Sequence, residues 1–179
     1  MSKYLIGTGL VIAVVALAVS AAVASDDNRR GLNHFRATLS GYQETPLTLS
    51  TAGSGKFKAE IDDDAMTIEY ELSFEDLEGG AAIAAHIHLG QRATTGGVSA
   101  FLCSGGNKPV CPPAGGTVTG TIRPSDVIGP TAQGIAAGEF EELVRAIRAG
   151  FAYANVHTTG RPGGEIRGQI QVRGDRDDR

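Results

Sequence analysis

A strict alternation of apolar and polar residues over residues 66–74 constrains the fold more than any other stretch of this sequence. Side chains at every second position of a β-strand share one face, so the segment predicts a strand with one buried face. The residues predicted to point inward are Met66, Ile68, Tyr70, Leu72 and Phe74. The run Asp62-Asp63-Asp64 stands just before the strand and predicts a turn.

Short β-rich runs of this kind recur along the chain between glycine, proline, asparagine and aspartate residues. This spacing is typical of an antiparallel β-sandwich or barrel, so we predict an all-β fold. The predicted strands cover residues 34–40, 55–61, 66–74, 83–89, 98–103, 117–123, 151–157 and 165–172. Pro162-Gly163-Gly164 predicts the turn that joins the last two strands.

One segment, near residues 138–148, departs from the strand period. Its apolar residues recur at i, i+3, i+4 and i+7, acidic residues precede them, and Gly150 follows. This pattern predicts a short amphipathic helix that packs one face on the β-sheet. The apolar residues of the predicted helix are Phe140, Leu143, Val144 and Ile147.

The first residues have the layout of a secretory signal peptide. Lys3 precedes an apolar run over residues 5–19, and Ala22-Val23-Ala24 resembles the small-residue A-x-A cleavage site of such peptides. We therefore expect residues 1–24 to be removed and the protein to be secreted or periplasmic. The alternative is an uncleaved membrane anchor, because the apolar stretch is about long enough to span a bilayer.

Loss of the first 24 of 179 residues leaves 155, which is the size of one domain. The remaining chain carries 15 basic and 20 acidic residues, and this acidic balance argues against nucleic acid or an anionic membrane surface as a partner. Residues 25–32 and 173–179 are charged and poor in apolar side chains. We expect both segments to be disordered, on either side of one domain over residues 33–172.

The two cysteines, Cys103 and Cys111, are eight positions apart. In an exported chain they are expected to form a disulfide around a short loop rich in turn-forming residues. A metal site built on these cysteines is the alternative. It is disfavoured because the spacing is not C-x-x-C and an oxidising compartment consumes free thiols.

Two of the four histidines, His86 and His88, stand one residue apart in a predicted strand. Their side chains share a face, and neutral imidazole is a common ligand of copper and zinc. With His157 from a second strand they predict a three-nitrogen metal site, which Asn155 could support by orienting an imidazole. His34 is a candidate fourth ligand. In the alternative interpretation the histidines are scaffold and bond to backbone carbonyls near residues 90–97.

Few other polar residues suggest chemistry. Glu165 and Arg167 share one strand face and predict an ion pair with a neighbouring strand. The sequence contains no G-x-S-x-G motif, and its cysteines are better paired with each other than used as nucleophiles. No catalytic residue is predicted, and the chain is not expected to be an enzyme.

Five blocks of sequence resemble a chordin-type (CHRD) domain. They occur in the order expected for that domain and together span nearly all of the expected mature chain. The resemblance implies a secreted all-β module, found in animal chordin and as a single exported domain in bacteria, without catalytic residues. It does not imply the growth-factor antagonism of chordin, which involves cysteine-rich repeats. The blocks are residues 35–46, 85–90, 96–98, 153–158 and 162–170.

The segment His86-Ile87-His88-Leu89-Gly90 is also similar to the copper-binding strand of Cu/Zn superoxide dismutases. The predicted sandwich is therefore either immunoglobulin-like or similar to those enzymes. The residues of a zinc loop have no counterpart between Gly90 and Cys103, so dismutase activity is not implied. We expect an exported binding module that holds copper or zinc. The alternatives are an adhesion or envelope domain without metal, and a copper-dependent redox protein.

Overall fold

The computed structural model describes residues 33–173. The predicted leader, the segment 25–32 and residues 174–179 lie outside the described residues, so what the sequence predicts for them stays a prediction. Within residues 33–173, no helix is both long enough and apolar enough to cross a membrane.

The described chain consists mainly of nine β-strands and one α-helix, which confirms the predicted all-β class with a single short helix. Predicted and observed strand ends agree to within one residue except at the last strand. In chain order the elements are β1 (His34–Ser40), β2 (Ser54–Asp62), β3 (Thr67–Glu75), β4 (Ala82–Leu89), β5 (Val98–Cys103), β6 (Gly116–Ile122), α1 (Phe140–Arg148), β7 (Ala152–Thr158), β8 (Arg161–Gln169) and β9 (Gln171–Val172).

All nine strands belong to one antiparallel sheet in the order β5-β4-β7-β8-β1-β2-β3-β6, with β9 paired to β1. The sheet curls until its two edge strands, β5 and β6, lie close together, which gives a nearly closed barrel. The hydroxyl of Tyr70 on β3 donates a hydrogen bond of 2.7 Å to the carbonyl oxygen of Leu102 on β5. This bond joins the two ends of the sheet across the barrel.

Strand β3 follows the predicted alternation with one exception. Met66 was expected to point inward, but it is 37% exposed and precedes the strand with φ 51°. Its backbone N–H bonds to the carbonyl of Asp63, so it occupies the last position of the turn rather than the first of the strand. The reversal of the chain therefore overrides the alternation at this residue. The buried residues of β3 are Ile68, Tyr70, Leu72 and Phe74.

Helix α1 buries the predicted apolar face against the sheet. Its first turn carries acidic residues, its last turn carries Arg145 and Arg148, and Gly150 follows with φ 77°. Arg148 donates hydrogen bonds to the carboxylate of Asp63 and to the side-chain oxygen of Asn33. The end of the helix is thereby fastened to the turn between β2 and β3. The residues on the buried face are Phe140, Leu143, Val144 and Ile147.

The prediction of a turn at Gly163-Gly164 is wrong, because β8 begins at Arg161 and contains both glycines. The reversal falls earlier, at Thr159-Gly160. Glycine is needed at 164 for a different reason. Its φ is 127°, and a Cβ there would lie 2.7 Å from the side-chain amide of Asn155.

Cys103 and Cys111 form the predicted disulfide. Within the loop that it closes, the ammonium group of Lys108 donates hydrogen bonds to the Thr121 carbonyl at 2.7 Å and to the Asp126 carboxylate at 2.8 Å. The side chains of Lys108 and Asp126 are only 5% and 10% exposed. A buried ion pair thus fastens the disulfide loop to the end of β6.

We expect Tyr70→Phe to lower the free energy of unfolding by about 1–2 kcal/mol, because it removes a buried hydrogen bond across the barrel. Tyr42→Phe is the matched control, since Tyr42 is 69% exposed. Denaturant unfolding of both variants, with the disulfide oxidised, provides the comparison. Equal stability changes in the two variants would contradict the bridging role of the Tyr70 hydroxyl.

Candidate metal centre

The pairing of β4 with β7 brings three histidines onto the outer face of the barrel. His86 and His88 lie on β4 and His157 on β7. The antiparallel register places His86 opposite Asn155 and Ala84 opposite His157, so the His86 and His157 side chains are diagonal neighbours. The strand alternation gives all three imidazoles the same face.

The three imidazoles converge. Nδ1 of His86 lies 3.1 Å from Nε2 of His157. The ring centroid of His88 lies 5.4 Å from that of His86 and 5.8 Å from that of His157. One ring nitrogen from each residue falls within 4.8 Å of the other two. These separations are short enough for the three nitrogens to share one metal ion with bonds of about 2 Å after small side-chain adjustments.

Two backbone carbonyls orient two of the rings. Nδ1 of His88 lies 3.0 Å from the Gly96 oxygen, and Nδ1 of His157 lies 3.0 Å from the Pro162 oxygen. A carbonyl only accepts hydrogen bonds, so each Nδ1 carries the proton and each Nε2 carries a lone pair. The lone pair of His157 accepts a hydrogen bond from Nδ1 of His86, whereas the lone pair of His88 accepts none from the described residues.

The Nε2 atom of His88 has no hydrogen-bond partner among the described residues. His88 is only 7% exposed, so water does not readily replace the absent partner. A buried polar atom left unpaired costs free energy and calls for an explanation. Here the unpaired atom is a nitrogen whose lone pair lies beside two further imidazoles.

Burial keeps the three imidazoles neutral. Burial is the largest cause, and together with the neighbouring imidazoles it lowers the pKa of His86 to about 3 and the pKa of His88 to about 4. Burial also lowers the pKa of His157. Neutral imidazole is the form that binds metal ions, so protons do not compete for the cluster near neutral pH.

An aromatic ring and a cation stack behind His88. The ring of Tyr153 is nearly parallel to the His88 ring, with an interplanar angle of 6° and centroids 4.8 Å apart. The guanidinium carbon of Arg167 lies 3.5 Å from the centroid of Tyr153. The Tyr153 hydroxyl also accepts a hydrogen bond of 3.0 Å from the backbone N–H of Gly96. Tyr153 therefore supports both the His88 ring and the glycine that orients it.

Arg167 fastens two loops over this face. Arg167 is only 2% exposed. Its guanidinium N–H groups donate hydrogen bonds to the Thr45 hydroxyl and to the carbonyls of Gln91 and Thr94. The Thr45 loop joins β1 to β2, and the loop of Gln91 and Thr94 joins β4 to β5. The second loop also carries Gly96, so Arg167 helps to position His88.

The predicted ion pair of Glu165 and Arg167 with a neighbouring strand is wrong. Both side chains are buried under loops, and Arg167 bonds to neutral oxygens. Burial alone would raise the pKa of Glu165, but its hydrogen bonds hold that pKa below the usual value. These bonds come from the hydroxyls of Thr51 and Thr158 and from the backbone N–H groups of Glu78 and Gly79.

Asn155 lies on the histidine face, but its amide bonds elsewhere. It donates a hydrogen bond of 2.6 Å to the carboxyl of Glu44 and one of 2.9 Å to the carbonyl of Ile166. Glu44 is 6% exposed, and this burial raises its pKa to about 7. His34, the candidate fourth ligand, is exposed on β1 beside Glu60 and is not part of the cluster.

Sequence patterns did not reveal Glu44, Tyr153 or Arg167 as neighbours of the cluster. Glu44 has no recurring spacing that links it to the histidines. Tyr153 alternates with Asn155 and His157 on β7, and Arg167 alternates with Gln169 on β8. The alternation indicates the face on which each side chain lies but not the residue that it contacts.

Comparison with known families completes the description of the site. The family model described as CHRD domain matches residues 35–170, which is well over half of the chain. All three clustered histidines fall within the matched region. No curated protein and no solved structure matches the chain.

The raised pKa of Glu44 predicts a pH-dependent stability. Between its ordinary value of 4.5 and about 7, the folded protein holds a proton that the unfolded chain has lost, so ionisation of Glu44 removes stability as the pH rises. We expect Glu44→Gln to become more stable relative to the parent by up to about 1.4 kcal/mol per pH unit across that window.

Denaturant unfolding at several pH values between about 5 and 8 measures this difference. The histidines act in the opposite direction, because their lowered pKa makes the folded state lose stability as the pH falls below 6.5. That contribution is common to parent and variant and cancels in the difference. Glu69→Gln removes one exposed carboxylate as a control. Parallel profiles for parent and Glu44→Gln would refute the prediction.

Proposed function

The chain belongs to the CHRD domain family, and on that basis we propose that it is an extracytoplasmic module that binds a copper or zinc ion through His86, His88 and His157. The observation that carries the proposal is the buried, unpaired Nε2 atom of His88, which lies against two other neutral imidazoles. The described chain offers it no hydrogen-bond donor. A metal ion would supply the missing partner.

The donor set fits a borderline metal ion. Three imidazole nitrogens suit copper and zinc, whereas calcium and magnesium prefer oxygen ligands. Hydrogen bonds from Nδ1 of His88 and His157 to backbone carbonyls are the kind of support that orients metal-binding imidazoles. Such an ion would act at this face as a Lewis acid or as a redox centre.

A scaffold role for the histidines accounts for fewer of these contacts. Hydrogen bonds to Gly96 and Pro162 would steady the neighbouring loops in either case. A purely structural cluster, however, leaves a buried nitrogen unpaired and gathers three groups whose burial depresses their own pKa values. The unpaired nitrogen lowers stability as long as it has no partner, and a bound ion would supply that partner.

The extracytoplasmic location is part of the proposal. It is supported by the Cys103–Cys111 disulfide, because such bonds persist in oxidising compartments, and by the signal-peptide layout of residues 1–24. An exported protein meets metal ions outside the reducing cytoplasm. A preformed cluster of neutral imidazoles fits capture of an ion there.

We expect the parent protein to bind one equivalent of copper or zinc, and His86→Ala, His88→Ala and His157→Ala each to weaken that binding by on the order of 100-fold or more. Metal analysis gives the stoichiometry, and competition with a chromophoric chelator gives the affinity. His34→Ala is the matched control, since His34 is exposed and outside the cluster. We expect it to bind metal as the parent does.

Circular dichroism and an intact disulfide establish that each variant is folded before its affinity is compared. If the parent binds neither ion, or the three cluster variants bind as well as His34→Ala, the metal-binding proposal is wrong. A loss of stability in the cluster variants without any effect on metal binding would assign the histidines to the scaffold and favour a structural or adhesion domain.

A further inference from the structure

The candidate ligand set carries no negative charge. Among the described residues, the group of histidine, cysteine and acidic side chains that can hold an ion consists of His86, His88 and His157 alone. A divalent ion bound there would keep its full double charge within a buried layer. Three imidazoles suit zinc, which can take a water as its fourth ligand, as well as copper, so the number of ligands does not select the ion. The charge around the cluster is therefore what can distinguish a monovalent from a divalent ion.

A fixed cation, the guanidinium group of Arg167, lies close to this uncharged ligand set. Arg167 is separated from His88 by the single ring of Tyr153, and both ring contacts are close. Its hydrogen bonds go to a hydroxyl and two carbonyls, so its charge is solvated by dipoles rather than paired with a carboxylate.

We infer that the histidine cluster takes monovalent copper in preference to a divalent ion such as Zn(II), and that the buried Arg167 guanidinium sets this preference. The inference rests on the proposed metal-binding function. Repulsion from Arg167 is twice as large for a divalent as for a monovalent ion at the same position. At roughly 8 Å and an effective dielectric constant of about 20, one extra charge changes a binding constant by about tenfold or more.

Two carboxyl groups also lie in this layer, but the hydrogen bonds of Arg167 go to neither of them. Glu165 is engaged by four hydrogen bonds from three other chain segments. Glu44 bonds to Asn155 instead of Arg167, and its raised pKa leaves it only partly ionised near neutral pH. Neither carboxylate belongs to the group of candidate ligands. Arg167, in contrast, is linked to the His88 ring through the ring of Tyr153.

The test compares the affinities of Cu(I) and Zn(II) in the parent, Arg167→Gln and Arg167→Lys. Cu(I) is titrated anaerobically with ascorbate, which leaves the disulfide intact, against a chromophoric Cu(I) chelator, and Zn(II) against a zinc chelator. We expect the parent to bind Cu(I) more tightly. Arg167→Gln is expected to reduce the ratio of the Cu(I) affinity to the Zn(II) affinity by roughly tenfold, mainly because Zn(II) binds more tightly. Arg167→Lys retains the positive charge and is expected to change this ratio less.

Zinc binding as tight as that of Cu(I) in the parent, or an equal ratio in all three proteins, would overturn the inference. If neither ion binds, or His88→Ala binds both as the parent does, the proposed function itself fails. Should Arg167→Gln not fold, Glu44→Gln at about pH 8 decides the matter by removing a negative charge. We expect it to raise the preference for Cu(I), and an unchanged or lower preference would contradict the dependence on local charge on which the inference rests.

Discussion

The pairing register of β4 with β7 is the constraint on which the site depends. It is fixed by small and branched side chains that point into the barrel, among them Ile87, Ala154 and Val156, each with 0% exposure. A slip of one residue would turn His157 toward the core and bring apolar side chains to the outer face. The packing that stabilises the barrel therefore also sets the geometry of the histidines, and neither can be changed without the other.

A covered polar layer outside the barrel is the second level of organisation. Strand β7 is buried on both faces, because the loops after β1 and β4 lie over its polar side chains. Under these loops, charges are either neutralised or held by dipoles. The imidazoles stay neutral, Glu44 is protonated more readily, and Arg167 is surrounded by oxygens. Each arrangement follows from the cost of burying a charge away from water.

Local periodicity allowed much of the fold to be predicted, because β3 and α1 each bury one regular face. The histidine cluster was predictable for a related reason, since His86 and His88 share a strand face by spacing alone. Met66 was mispredicted because turn geometry overrides the alternation there. The start of β8 was mispredicted because the strand continues through the turn-forming residues Pro162, Gly163 and Gly164. The environment of Arg167 was not predictable, because loops without any periodic signal decide whether its face meets water or other side chains.

The carboxylate of Glu165 links the opening of three chain segments to one another. It accepts hydrogen bonds from the loop after β1, the loop after β3 and the end of β7. Release of any one segment leaves a buried carboxylate short of donors, so the cost of opening falls on all of them together. The loop after β1, the loop after β3 and the end of β7 should thus behave as one cooperative unit. Hydrogen exchange at the backbone amides of Glu78 and Gly79 would then report the opening of that whole unit rather than local fraying.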